Sequence, residues 1–597
     1  MNENNISGVG KEKAPLYEAL LTYRDSKQRS FHVPGHKNGQ VYQQWMQQSD
    51  VVGEVQQEEI GNTVEVGNTL RAKQKRQDEQ GNEEDQRKEA EQSKVTAGSL
   101  KNSYCSKHVV PVHAYLDMME MDVTEITGMD DLHHPEGVIK EAQELAADCF
   151  GAEESFFLVG GSTAGNLSLL LAICDEPGSI VLVQRNVHKS VIHGLMLAGA
   201  RAVFLEPWVD AGSGLAVMPP IEVVQAAVQK YPEAKGVFIT LPNYYGMGAD
   251  LTPIARVCHE AGMPLLVDEA HGAHYGQHPE LPVSALSCGA DGVVQSTHKM
   301  LAAFTMGAML HIQGPRLNRS LLRQRLAMVQ SSSPSYPVMA SLDLSRRLLH
   351  VHGTDAFTAG LAAVKALKRG LAELPRFQWL QPVDMLQQEP AYGDEVPAAM
   401  PGRRGYTAQD PFKVVIYDDT GVLSGYGLQQ QLEACGCVPE MSDERYVVLL
   451  FSLGSTLQDA EHVLQALKYI STTCTPEHSL SSTEPVKPDS LSGPPSPSYV
   501  STWNNIAESE PFSEPVAFSL QPIMDIDTIE VLIEDCAGYQ SAEMVIPYPP
   551  GIPLVYPGER IHSKVAERIQ ILRDAGAKFQ GISDHTNQKL KILKPGL

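Results

Sequence analysis

The stretch DGVVQSTHKMLAAFTMGAML, Asp291 to Leu310, decides the fold. An apolar run ends in Ser296, Thr297, His298 and Lys299, and small and apolar residues then resume. Lysine is almost never fully buried unless it is paired or chemically used. One that ends a buried strand sits where open α/β sheets keep their chemistry, because ligands collect where strands finish. In a partly apolar site the ammonium is disfavoured, so the amine becomes a nucleophile toward an aldehyde. The plainer reading is a lysine that escapes to solvent.

Working outward, short apolar strands alternate with amphipathic helices. ESFFLV (Glu154–Val159) precedes TAGNLSLLLAIC, SIVLV (Ser179–Val183) precedes KSVIHGLMLAG, and GVFIT (Gly236–Thr240) precedes LTPIARVCHEAG. Strands apolar on both faces and separated by helices predict a mostly parallel sheet covered on both sides.

Two further strand ends carry polar residues. In LVGGSTAGN (Leu158–Asn166) a glycine turn leads into a helix, so free N–H groups, two hydroxyls and the helix dipole converge on a phosphate-sized site. An ordinary Ser/Thr N-cap is the alternative. In PLLVDEAHGAH, Asp268 and Glu269 follow four apolar residues, which aims an anion at a cationic ring nitrogen or merely caps a loop. His271 and His274 stand three apart without completing a metal-ligand spacing, and no metal site is expected.

The 597 residues exceed one core, and 42% apolar content supports several. A formal net charge of −25 argues against nucleic-acid and anionic-membrane partners. There is no run of about twenty apolar residues and no basic-then-apolar leader, so neither a membrane span nor a secretory signal is expected. Nine scattered cysteines fit a reducing cytoplasm, and Cys435–Cys437 is an isolated pair. The expected organisation is an N-terminal segment (1–40), a charged low-complexity insertion (41–110), a large domain (111–341), a small α+β domain (342–470), a Ser/Pro-rich linker (471–513) and a C-terminal unit (514–597). The insertion and linker are too polar to offset ordering entropy.

A phosphate cradle, a strand-end aspartate and Ser-x-His-Lys, in that chain order, are the parts that hold pyridoxal 5′-phosphate. With STHK, DEAHGAH, QRNVHKS, FHVPGHKNG and MDDLHHPEG in order, the chain resembles the ornithine/lysine/arginine decarboxylases, fold-type-I pyridoxal-phosphate enzymes. It is most similar to their compact Gram-positive arginine decarboxylase branch. PYPPGIPLVYPGE resembles that family's C-terminal domain. The 41–110 insertion is outside the likeness, and Met306–Gly307 stands where many members have Gln and a small residue.

The resemblance implies a large aspartate-aminotransferase-like domain, a small domain and a C-terminal decarboxylase domain. It implies Lys299 as the Schiff-base lysine, Asp268 on the pyridinium nitrogen and His188 stacked on one ring face, with Ala270 against the other. Ser162, Thr163, Ala164, Ser296 and His298 would hold the phosphate. His298 and Lys299 are candidates to protonate the substrate carbon. His36 and Tyr336, in Pro/Gly/Ser-rich loops, and a homodimer or larger homo-oligomer with shared sites follow from the same likeness. The implied substrate is a basic amino acid, arginine first, lysine second, ornithine third. Asp130, Asp131 and Glu559 are candidates for its distal cation. An aminotransferase or lyase on the same scaffold, and a non-catalytic cofactor-binding regulator, are the competing readings.

Overall fold

In the computed structural model the described residues are 11–26, 113–210, 212–381, 406–474, 511–521, 523–548, 553–574 and 577–594. The 41–110 insertion, His36 and most of the 471–513 linker lie outside them. The chain divides into two units. The smaller contains the described residues 18–26, 113–130 and 335–337, and within it the Tyr336 hydroxyl donates to the Asp130 carbonyl at 2.6 Å. The larger holds the rest.

The larger unit is built on an eight-stranded sheet. Its strands are β1 (Glu154–Leu158), β2 (Ile180–Gln184), β3 (Arg201–Leu205), β4 (Val237–Thr240), β6 (Leu265–Asp268), β7 (Gly292–Gln295), β8 (Ala308–Ile312) and β14 (Val516–Ala517). Their order is β1-β8-β7-β6-β4-β2-β3-β14; β3, β2, β4, β6 and β7 run parallel, with antiparallel strands at both edges. The two-residue β5 (Met247–Gly248) lies outside this sheet. Every residue of β2, β6, β7 and β8 is buried. That requires helices on both faces and explains the unbroken apolar runs. Each fully buried Val, Leu or Ile contributes about 1.5–3 kcal/mol. The chain winds from β2 to β3 on one side and to β4 on the other. This reversal is a topological switch point, and in open α/β sheets ligands bind beside one, here at the carboxyl ends of β2 and β4.

A four-stranded antiparallel sheet forms the small domain: β9 (Phe377–Trp379), β11 (Lys413–Asp418), β12 (Met441–Ser442) and β13 (Val447–Leu450). Helix Gly425–Ala434 packs on it, and helix Leu457–Thr473, started by a capping box of Thr456 and Asp459, packs against helix Thr358–Leu371. The short β10 (Ala408–Gln409) pairs with β5 of the large domain. The C-terminal segment, expected from residue 514, begins as an edge strand of the large sheet, because β14 satisfies the open backbone groups of β3. Its own core gathers Ile533, Val545, Val555, Ile561, Ile569 and Ile592. Among the described residues no helix is long and apolar enough to cross a membrane.

Candidate active site

Four chain segments meet at the carboxyl edge of the large sheet. Lys299 sits on the one-turn helix Thr297–Met300 that follows β7. Burial lowers its ammonium pKa, while the carboxylates of Asp268 and Glu440 pull the other way. Its Nζ is 3.1 Å from His271 Nε2 and 5.9 Å from the centre of the Tyr244 ring.

Asp268 is the last residue of β6, adjacent to β7. Its Oδ1 accepts from the Ala270 amide at 3.1 Å and its Oδ2 from Asn166 Nδ2 at 2.8 Å. Asn166 also donates to Ser190 Oγ at 2.9 Å, and Ser190 Oγ is 2.9 Å from His188 Nδ1. His188 caps helix Lys189–Ala198, accepting the Ser190 N–H at 3.2 Å, which leaves the ring hydrogen on Nε2. Burial lowers the His188 pKa, Asp268 opposes the shift, and Lys299 adds to it, so the three groups share one field.

Helix Gly161–Ile173 starts at Gly160 without a side-chain cap. The Gly161 N–H is taken by the Met306 carbonyl at 2.9 Å. The N–H groups of Ser162 and Thr163, in the first turn, have no intrahelical acceptor and are therefore suited to an anion. Ala164 is buried behind them. Ser296 Oγ, Thr240 Oγ1 and Asn166 Oδ1 are buried with no hydrogen-bond partner among the described residues. Unpaired buried polar atoms cost free energy unless a ligand or water completes them. The residues therefore fit a cofactor with an anionic group and a heteroaromatic ring.

His298 Nδ1 lies 2.9 Å from the Gly307 carbonyl, which fixes the hydrogen there and leaves Nε2 with a lone pair. His271 and His274 take separate partners. His274 Nε2 lies 3.1 Å from Asp410 Oδ1, while His271 Nδ1 meets Lys413 Nζ at 3.1 Å. Glu269 turns away from Asp268 and accepts from Gln295, Ser284 and the Ala285 amide.

One candidate is overturned. Glu559 does not await a substrate cation: it is ion-paired with the buried Arg185, and its other oxygen accepts the Tyr556 amide. The Arg185 guanidinium also lies near Glu206 and the rings of Phe204 and Tyr556, so the pair joins the C-terminal segment to the large sheet. Asp131 closes a local turn through the His133 amide at 2.8 Å. Asp130 belongs to the smaller unit.

Asn166, Tyr244, Glu440 and Lys413 carried no role in the sequence reading. Asn166 stood at the end of the quoted glycine turn, one helical turn past Thr163, and that spacing was the available signal.

Residues 112–459 match the Orn/Lys/Arg decarboxylase major domain, and residues 512–588 match the C-terminal domain of the same enzymes. The chain belongs to the Orn/Lys/Arg decarboxylase family. It is 34% identical over 582 residues to protein YaaO of Bacillus subtilis, spanning 97% of each chain. It is 30% identical to the arginine decarboxylase of Bacillus subtilis, over 80% of this chain and 89% of that one. The inducible lysine decarboxylase of Escherichia coli is 24% identical over 78% of this chain and 72% of its own length. In fold it is similar to the lysine decarboxylase LdcF of Francisella novicida, with a TM-score of 0.67 and 19% identity over 97% of this chain and 81% of that one. The chain is thus an amino-acid decarboxylase, and its family implies pyridoxal phosphate as the cofactor.

Proposed function

We propose that this decarboxylase acts on a basic amino acid, arginine ahead of lysine and ornithine, with pyridoxal 5′-phosphate attached through Lys299. The observation that carries the reading is the convergence of Lys299, Asp268 and His188 in one electrostatic field. Arginine comes first because relatives at 30–31% identity carry that name, whereas those named lysine decarboxylase stand near 24–26%.

The cofactor, when bound, supplies an electron sink for the bond to the departing carboxylate. The chain supplies position and charge. Asp268, fixed through both oxygens, presents its carboxyl group to a ring N–H. His188, held by Ser190, covers a ring face, with the small Ala270 opposite. Ser162 and Thr163 amides and the unpaired Ser296 hydroxyl receive the phosphate. Burial disfavours the Lys299 ammonium, and Lys299, or His298 Nε2 once it has taken up a proton, gives a proton to the substrate carbon. Glu440, whose carboxylate acts on both Lys299 and Lys413, is the acidic group in range of a distal guanidinium or ammonium. The same reading includes a homo-oligomer, which the mass in solution tests.

CO₂ release from labelled arginine, lysine and ornithine ranks the substrates. Yellow absorbance that borohydride bleaches, and that Lys299→Ala lacks, is the expected sign of attachment. No CO₂ from any of the three, with the chromophore intact, would defeat the reading.

A further inference from the structure

His271 stands between two lysines. Its Nε2 is 3.1 Å from Lys299 Nζ and its Nδ1 is 3.1 Å from Lys413 Nζ. Burial, the two lysine cations, and the His188 and His298 rings hold His271 well below its ordinary pKa, so it is neutral and carries one ring hydrogen. One hydrogen for two contacts permits two arrangements. In the first, a Lys413 ammonium donates to Nδ1, and Nε2–H donates to the lone pair of a neutral Lys299. In the second, a Lys299 ammonium donates to Nε2, and Nδ1–H donates to a neutral Lys413. Passing between them moves one hydrogen from Lys299 to Nε2 and one from Nδ1 to Lys413. Charge and atoms balance.

The fold commits Lys413 to this place. It is the first residue of β11, 2% exposed, with its own amide donating to the Asp410 carbonyl at 3.1 Å. Gly246, at φ +80°, closes over it so tightly that a Cβ there would lie 2.6 Å from Lys413 Cβ. The Tyr244 ring packs 4.6 Å from His271 on the other side. Burial lowers the Lys413 pKa to about 8 against the pull of Asp410 and Glu440, with Lys299 lowering it further. Asp268 and Glu440 are the carboxylates that face Lys299.

We propose that Lys413 is a positioning residue acting through His271: it takes up the proton that Lys299 must lose before bonding to an aldehyde, and returns it when Lys299 is displaced. This rests on Lys299 as the attachment point.

The test follows pyridoxal phosphate capture by the cofactor-free full-length chain, measured by absorbance between pH 6 and 10. Lys413→Met removes both the proton acceptor and the cation that disfavours charge on Lys299. The midpoint of capture should rise by about one pH unit, with capture near neutral pH about tenfold slower. Lys413→Arg keeps the charge and still donates to Nδ1 but cannot accept a proton, so its midpoint should stay near the wild type while capture near neutral pH is slowed about as much as in Lys413→Met. A midpoint unchanged in Lys413→Met, or capture by Lys413→Arg near neutral pH as fast as by the wild type, overturns the proposal. Thermal unfolding shows whether each variant folds. Should Lys413→Met not fold, His271→Gln breaks the same link, and capture near neutral pH as fast as by the wild type overturns it equally. Undiminished capture by Lys299→Ala would instead sink the attachment reading on which the proposal stands.

Discussion

Asn166 donates one amide hydrogen to Asp268 at 2.8 Å and the other to Ser190 at 2.9 Å, and Ser190 holds His188. A single amide on helix Gly161–Ile173 therefore sets the carboxylate and the imidazole in one frame. The helix whose first-turn amides stay open also orients Asp268 and His188 one turn later. The open helix N-terminus, the carboxylate and the imidazole are thereby coupled through rigid backbone.

Replacing Asn166 by Ala should weaken cofactor retention without unfolding the chain. A hydrogen bond to a charged group contributes about 1.5–3 kcal/mol, so the dissociation constant should rise about ten- to a hundredfold. Absorbance titration of the cofactor-free variant measures it. Retention equal to the wild type would show that Asp268 is held adequately by the Ala270 amide alone.

Glu559→Gln should act on stability and leave substrate affinity alone. Removing one partner of a buried pair leaves the other charge uncompensated, at about 3 kcal/mol, eased here by Glu206 near Arg185. The melting temperature should fall while the KM for the amino acid stays within about twofold. A large rise in KM with an unchanged melting temperature would return Glu559 to the substrate site.

Glu440→Gln should do the reverse. Its carboxylate lies exposed beside β12 and acts on both active-site amines. Loss of a point charge opposite the distal cation should raise KM about tenfold, with cofactor retention unchanged. Steady-state kinetics against spectroscopic titration separates the two.

Glu269 makes stability depend on pH. Burial lifts its pKa to about 7 from an ordinary 4.5, despite three donors that favour the carboxylate. Between those values the folded state binds the proton and the unfolded state releases it. This group's contribution is present below pH 4.5 and is lost as pH rises toward 7. His311, which burial lowers to about 3, acts in the opposite sense, because it takes up a proton on unfolding below pH 6.5. Urea denaturation of Glu269→Gln and wild type at pH 5 and pH 8 isolates the term: the wild type should lose about 2–3 kcal/mol more than the variant across that interval. Equal losses would mean Glu269 is ionised throughout.

The order of chemistry along the chain was legible in sequence because strand ends are local events. An apolar run that stops at Asp268 or before Ser296 announces a buried strand and its carboxyl end without knowledge of its neighbours. The parallel sheet followed from two-faced apolarity, and the family from short motifs in fixed order. Glu559 shows the limit. A glutamate in a quoted C-terminal motif looks free in sequence, yet Arg185, 374 positions away, claims it. Asn166, His271 and Lys413 show the same limit in the other direction. Their partners lie on separate strands and separate domains, and an amide or amine has no role until a donor meets an acceptor at about 3 Å. Periodicity and punctuation, which the chain carries locally, determined the architecture and the position of Lys299. Which side chains touch it depends on how crossovers and the small domain bring distant strand ends together, and only the folded chain decided that.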